Sequence, residues 1–151
     1  MKDKATCEYQ VYHFLPIKCA QRVLDLNPWI LSYVSEGTVK AKIGDKPIFF
    51  TSGDVQLHPL KAQDVFSSEE CLPVDTQKVE VITLFIYPQF LKNLAHNFPE
   101  YGEVVAHIQS IDQLVRYDAM RASQIAEKLE AMSRLSAPER IPMALDTLCL
   151  L

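Results

Sequence analysis

The sequence predicts an α+β fold: an antiparallel β-barrel of jelly-roll type followed by C-terminal helices. Three observations predict it. Between residues 30 and 59, short apolar alternations recur with turn signals every eight or nine residues, at Glu36-Gly37, Gly44-Asp45 and Ser52-Gly53-Asp54. That is the rhythm of antiparallel strands folding into a barrel or sandwich. Residues 78–87 read KVEVITLFIY, a β-branched and aromatic run that suits a strand. From Pro88 onward the apolar spacing becomes helical. Strands first and helices last is the α+β order, with helices gathered at one end.

Each element follows from local chemistry. Residues 1–8 are polar and form an N-terminal arm. Residues 10–15 (QVYHFL) predict a first strand closed by Pro16, and residues 19–24 a second. Asn27-Pro28 marks a turn. Ile30 to Val34 is largely apolar. Val39, Ala41 and Ile43 alternate, as do Ile48 and Phe50, then Val55 and Leu57. Residues 62–67 predict another strand, and 68–77 a polar loop before the strand at 78–87. Pro88 suits a helix N1 position, with Phe90, Leu91, Leu94 and Ala95 behind it at helical spacing. Residues 97–102 break that helix. Residues 104–111 suit either a strand or a short helix. Asp118 is an N-cap for a long helix through Leu135. SAPE at 136–139 is a capping box that opens a last helix running to Leu151. Pro142 inside that helix is a conflict that delays or kinks its start. The organisation is an arm at 1–8, a barrel at 9–87 and a helical region at 88–151.

Bulk composition excludes several function classes. The 151 residues suit one domain, or one domain with a helical appendage. A hydrophobic fraction of 48% and a charged fraction of 23% are ordinary for a globular protein. The formal net charge of −4 argues against this segment gripping nucleic acid by itself. No apolar run approaches the roughly 20 residues of a membrane span, and the polar start MKDK leads to no signal-like core. Cys7, Cys19, Cys71 and Cys149 are widely spaced with no CxxC, as expected of free thiols in a reducing cytoplasm. The chain stops inside an apolar run, Leu145 to Leu151, without a C-cap glycine. The expectation is a fragment of a longer protein; the alternative is a tail packed on the barrel.

Catalytic chemistry has little support. There is no GxSxG elbow and no phosphate-binding loop among only four glycines. Cys19 with His13 or His58 forms a dyad only on paper. His13, His58, His96 and His107 are scattered, whereas a zinc or iron site needs three or four converging donors. The expectation is no enzyme, no metal and no cofactor.

GDVQLHP at 53–59 resembles the second conserved motif of cupin barrels, a Gly-Asp turn leading into a strand that ends at proline. The histidine that follows this proline in metal-binding cupins falls near Asp64 here, and the motif's second glycine near Lys61. Where the first cupin motif carries an HxH pair and a glutamate, this chain has Leu26, Asn27, Pro28, Trp29 and Ile30. The fold signal survives without its ligand set.

Three segments together resemble the N-terminal regulatory domain of AraC/XylS-family transcription regulators. They are ILSYVSEG at 30–37, SGDVQLHP at 52–59 and residues 79–90, a long strand running into a Phe-containing helix. The resemblance extends over nearly the whole chain and is greatest to virulence and secretion regulators with a metal-free barrel. Ser52 departs from the family's usual proline, and the two C-terminal helix-turn-helix units are absent from this chain. The resemblance implies a cytoplasmic homodimer whose barrel senses a small-molecule or protein effector. DNA binding would lie only in the missing domain. No membrane is implied.

Candidate sites follow from periodicity. The stripe Ala122, Ile125, Leu129 and Met132 is the candidate dimer face, with Ile141, Leu145 and Leu148 as a second stripe on the last helix. The alternative is that the first stripe packs on the chain's own barrel. Strand alternation puts Trp29, Leu31 and Tyr33 on one face, with Tyr12 and Phe14, and Ala20, Arg22 and Leu24, sharing faces on their own strands. The effector-pocket candidates are Tyr12, Phe14, Arg22, Trp29, Tyr33 and His58, a mix of apolar walls and placed polar groups. A buried Arg22 would want an anionic partner. Against this, aromatics in a small barrel commonly fill its core. A competing reading is a stand-alone cupin-like small-molecule-binding protein or metal-dependent enzyme.

Overall fold

A computed structural model describes residues 7–13, 25–43, 46–61, 65–66 and 79–151. The strands are β1 (Glu8–Tyr12), β2 (Trp29–Glu36), β3 (Thr38–Ile43), β4 (Lys46–Thr51), β5 (Val55–Pro59), β6 (Val65–Phe66), β7 (Glu80–Ile86) and β8 (Val115–Arg116). The helices are α1 (Pro88–Asn97), α2 (Gly102–Gln109), α3 (Ala119–Met132) and α4 (Ala137–Leu148), with a 3-10 turn at Pro99–Tyr101 before α2. The predicted strand at 19–24, the loop at 68–77 and the Gly44-Asp45 turn lie outside the described residues.

The described residues form two antiparallel sheets. The larger runs β1-β7-β2-β5-β8 and the smaller β4-β3-β6. Among the described residues no ladder joins them, so the predicted barrel is a cupin-like sandwich open at its edges. The fold is mixed α+β, with the helices after the main strands, as the sequence predicts.

Strand periodicity divides the larger sheet into two faces. Tyr9, Leu84, Leu31 and Leu57 are cross-strand neighbours on one face. That face packs against Leu91, Ile108, Ile125 and Leu129 of the helices in the main core. The opposite face carries Ser32, Val34, Val81 and Thr83 toward the smaller sheet. There Val34 and Val81 join Val39, Ala41 and Phe50 in a second core. Both faces are covered, so β5 and β7 are buried almost throughout.

The turn between β4 and β5 explains the SGD motif. Gly53 has φ 100°, a conformation that glycine adopts without steric cost. Its N–H donates to the Val34 carbonyl at 2.8 Å, and the Thr51 N–H donates to Asp54 Oδ2 at 2.8 Å. Ser52, the departure from the family pattern, donates its hydroxyl to the Ser35 carbonyl at 3.0 Å. Ser52 and Gly53 thereby tie this turn between the two sheets to the end of β2.

The helical region shows where local signals sufficed. Asp118 caps α3, its Oδ1 accepting the Arg121 N–H at 2.9 Å. The helix stops at Met132 rather than Leu135, because Ser133 folds its hydroxyl onto the Glu130 carbonyl at 2.7 Å and the next cap follows at once. Residues 104–109 are helical within α2. Pro142 sits inside α4 on an exposed face, and, having no N–H, it gives the Pro138 carbonyl no intrahelical donor. The strand β8 had no sequence signal; it forms by pairing with β5, Gln56 opposite Arg116.

Candidate functional site

Among the described residues, two of the spaces between the layers differ sharply in size. The first lies between the sheets. It is walled by Tyr12, Ile30, Val34, Phe50 and Phe85, with Ser32, Gln56 and Thr83 as polar groups. Its volume is about 20 Å³, room for about one water molecule. The Ser32 and Thr83 hydroxyls lie 3.5 Å apart and satisfy one another. Gln56 is 2% exposed, and among the described residues its Oε1 meets no donor. An unmet buried amide oxygen is a cost to folding and marks where a water or a ligand donor fits.

The second space is a cleft of about 480 Å³ on the helical side, between β1, α1 and the start of α4. Leu84, Phe90, Met132 and Ala144 give it apolar walls, and Tyr9 and Arg140 bring polar groups. Arg140 is fixed from two directions. Its Nε–H donates to the Met132 carbonyl at 2.8 Å, and its guanidinium lies 4.6 Å from the centre of the Tyr9 ring. Tyr9 holds its phenol proton more tightly than usual, chiefly because of burial; the Arg140 charge opposes the shift and Glu80 adds to it. Cys7 also lines the cleft. It is only half-buried by area, yet the surrounding protein pushes its thiol well above the usual range.

The sequence-predicted residues are distributed between the two faces. Tyr12 lines the inter-sheet space. His58 shares that face by register, opposite Ile30, and its Nδ1–H donates to the Pro59 carbonyl at 3.1 Å. Trp29 and Tyr33 face the helices instead. The Trp29 Nε1–H donates to the Ile111 carbonyl at 2.9 Å, fastening β2 to the exit of α2. Burial raises the Tyr33 hydroxyl pKa, and the neighbouring Glu130 carboxylate raises it further. Phe14 and Arg22, with Ala20, Leu24, Cys19 and Cys71, lie outside the described residues.

The candidate dimer stripe is committed elsewhere. Ala122, Ile125, Leu129 and Met132 are buried at 5%, 0%, 0% and 0% exposure in the chain's own main core. These side chains meet a second subunit only if that packing opens. The second stripe is graded: Ile141 is exposed, Leu145 half-buried and Leu148 buried.

Gln56, Tyr9 and Arg140 were not singled out in the sequence. A glutamine between Val55 and Leu57 reads as the solvent side of an alternating strand, and only the smaller sheet lying over it makes that face interior. Nothing in the sequence brings Arg140 to Tyr9. Among the described residues no group of three or more His, Cys, Asp or Glu side chains is placed to hold a metal ion. No described helix is long and apolar enough to cross a membrane.

No protein-family model and no curated protein sequence matches the chain. Solved structures do. The chain is similar to the AraC-like transcriptional activator CuxR, with a TM-score of 0.52, 7% identity, and coverage of 96% of this chain and 46% of that one. It is similar to an apo variant of ToxT from Vibrio cholerae, with a TM-score of 0.50, 14% identity, and coverage of 97% and 55%. It is also similar to ToxT bound to (E)-4-(8-methylnaphthalen-1-yl)but-3-enoic acid, with a TM-score of 0.50, 10% identity, and coverage of 94% and 54%. The chain thus spans about half the length of the regulators it matches. Its two cupin-like sheets and trailing helices share the fold of the matching half of these solved structures.

Proposed function

We propose that this chain is the effector-sensing and dimerisation domain of an AraC-type transcription regulator. On this reading it works in the cytoplasm, controlling transcription through a helix-turn-helix domain outside the chain, and is not an enzyme. The observation that carries the reading is the extent of the likeness. Nearly all of this chain corresponds to about half of each of two transcription regulators. One of these regulators takes an apolar carboxylic acid, which favours a small-molecule effector here.

The sensing role belongs to the spaces beside the larger sheet, and the subunit contact to the helical end. The α3 stripe is occupied by the chain's own core, so the contact would use outward side chains. Met120 on α3, 75% exposed, and Ile141 on α4, 46% exposed, are two of the large apolar groups displayed there. A symmetric pair formed through these outward side chains would be isologous.

A fusion experiment tests the reading. The chain is joined to a monomeric DNA-binding domain that represses a reporter only when paired. Repression, with a dimer in sedimentation equilibrium, is expected, and Met120→Glu with Ile141→Glu should weaken both. A chain that stays monomeric and leaves the reporter active would overturn the dimerisation role. Stoichiometric metal or turnover by the chain alone would favour the cupin-like enzyme instead.

A further inference from the structure

We propose that Arg116 is a latch on the open edge of the sandwich. It holds β4 against β8, and its release is the way into the space between the sheets. The latch stands on geometry; only its use in effector sensing rests on the reading above.

The edge needs a tie because the backbone supplies none. β8 ends the larger sheet and β4 ends the smaller one, and among the described residues no ladder joins the two. β4 is also lightly held. Four of its six residues are exposed and only Phe50 is buried. That ring, with half-buried Ile48, anchors the strand in the second core. An edge strand with so few buried contacts belongs to the low-stability end of a fold.

Arg116 makes the tie in two ways at once. Its Nη2–H donates to the Phe49 carbonyl at 2.6 Å, and its guanidinium lies 4.7 Å from the centre of the Phe50 ring. One side chain thus grips both the backbone of β4 and its buried anchor. A planar guanidinium donates in its plane and stacks through its face, which a lysine ammonium does not reproduce.

The post from which Arg116 reaches is firm. It pairs with Gln56, and Val115 pairs with Leu57, on the buried strand β5. The Tyr117 N–H donates to the Val55 carbonyl at 3.2 Å, and Asp118 caps α3. When the latch opens, β4 is therefore the element that moves. Other backbone groups of β4 are closed to a foreign strand: Pro47 has no N–H, and the Thr51 N–H donates to Asp54 Oδ2 at 2.8 Å. Lifting of the strand, rather than pairing with another chain, is the motion the latch governs.

That motion uncovers a defined place. Phe50 and Gln56 both line the inter-sheet space, one under the guanidinium and the other opposite Arg116 in the ladder. With β4 down the space is about 20 Å³, the size of one water molecule. Lifting Phe50 removes one of its walls.

Amide hydrogen exchange of the whole chain, read by NMR, tests the latch. Arg116→Ala is expected to speed exchange in the β3–β4 ladder about tenfold, the scale of one charge-assisted hydrogen bond with a stacked ring. The β2–β7 ladder should keep its rates. Arg116→Lys should recover only part of the protection. Phe50→Leu removes the stacked ring but keeps an apolar anchor, and Arg116→Ala should have a smaller effect on top of it. Entry is read separately through Val39→Cys, since Val39 lines the space and is 2% exposed. Reaction of position 39 with a thiol reagent, located by peptide mass, should speed about tenfold when Arg116→Ala is added. The proposal falls if Arg116→Ala leaves β3–β4 exchange unchanged, if it speeds the β2–β7 ladder equally, if lysine protects as well as arginine, or if position 39 reacts no faster. A chain that shows the latch but stays monomeric in the fusion experiment keeps this inference and loses the dimerisation reading.

Discussion

Gln56 carries an unpaid polar debt. It lies at 2% exposure between two apolar layers, and among the described residues its Oε1 has no donor. Removing an unsatisfied buried polar group while keeping its volume is neutral or stabilising. Gln56→Leu is therefore expected to raise unfolding free energy by about 1 kcal/mol in urea titrations. A loss of stability would instead show that a water in the adjoining space already satisfies the oxygen. Ser52 and Gly53 illustrate the opposite case. The turn they form is local, since the positive φ of Gly53 and the Thr51 N–H bond to Asp54 Oδ2 lie within the segment itself. Their role as a turn was accordingly legible from sequence, whereas that of Gln56 was not.

Among the elements, α4 owes its start to a pH-sensitive contact. Glu139 Oε1 accepts from the Ser136 N–H at 3.1 Å and from the Ser136 hydroxyl at 2.6 Å. These bonds favour the ionised carboxylate and hold its pKa below the ordinary 4.5, the side-chain bond contributing most. A depressed carboxyl pKa adds stability that is fully present above the ordinary value and is lost as pH falls through the folded value. Glu139→Ala should therefore lower Tm near neutral pH, and the difference from the parent should vanish in strong acid. A difference independent of pH would mean that the side chain acts by helix propensity alone. At the other helix start, Asp118→Ala removes an N-cap and should cost about 1 kcal/mol, read from the same unfolding curves. Both caps were visible as short motifs because a cap is satisfied within four residues of its own position. Residues 104–111 were ambiguous because apolar runs of that length suit either period; the helix over 102–109 buries Val105 and Ile108 in the main core.

Across the whole molecule, the α3 stripe shows what periodicity leaves open. Ala122, Ile125, Leu129 and Met132 were correctly spaced to share one face, but spacing does not say what that face meets. It meets Leu84, Leu57 and their neighbours in the chain's own core. Leu129→Ala is thus expected to cost about 2–5 kcal/mol of folding stability, the range for truncating a buried leucine. Leu129→Glu is expected to prevent folding rather than yield a folded monomer. A well-folded Leu129→Glu chain with normal stability would return this stripe to the subunit interface.

The sequence by itself determined the α+β order, the strand alternation, the turn at Gly53 and the helix starts at Asp118 and Ser136. All of these are set by contacts between residues close along the chain. Only the tertiary structure decided that Trp29 and Tyr33 turn toward the helices, that the inter-sheet space is nearly filled, and that Arg140 stacks on Tyr9. The physical reason is the same in each case. Period two tells which side chains share a face of a strand, but which face is covered, and by what, depends on partners tens of residues away.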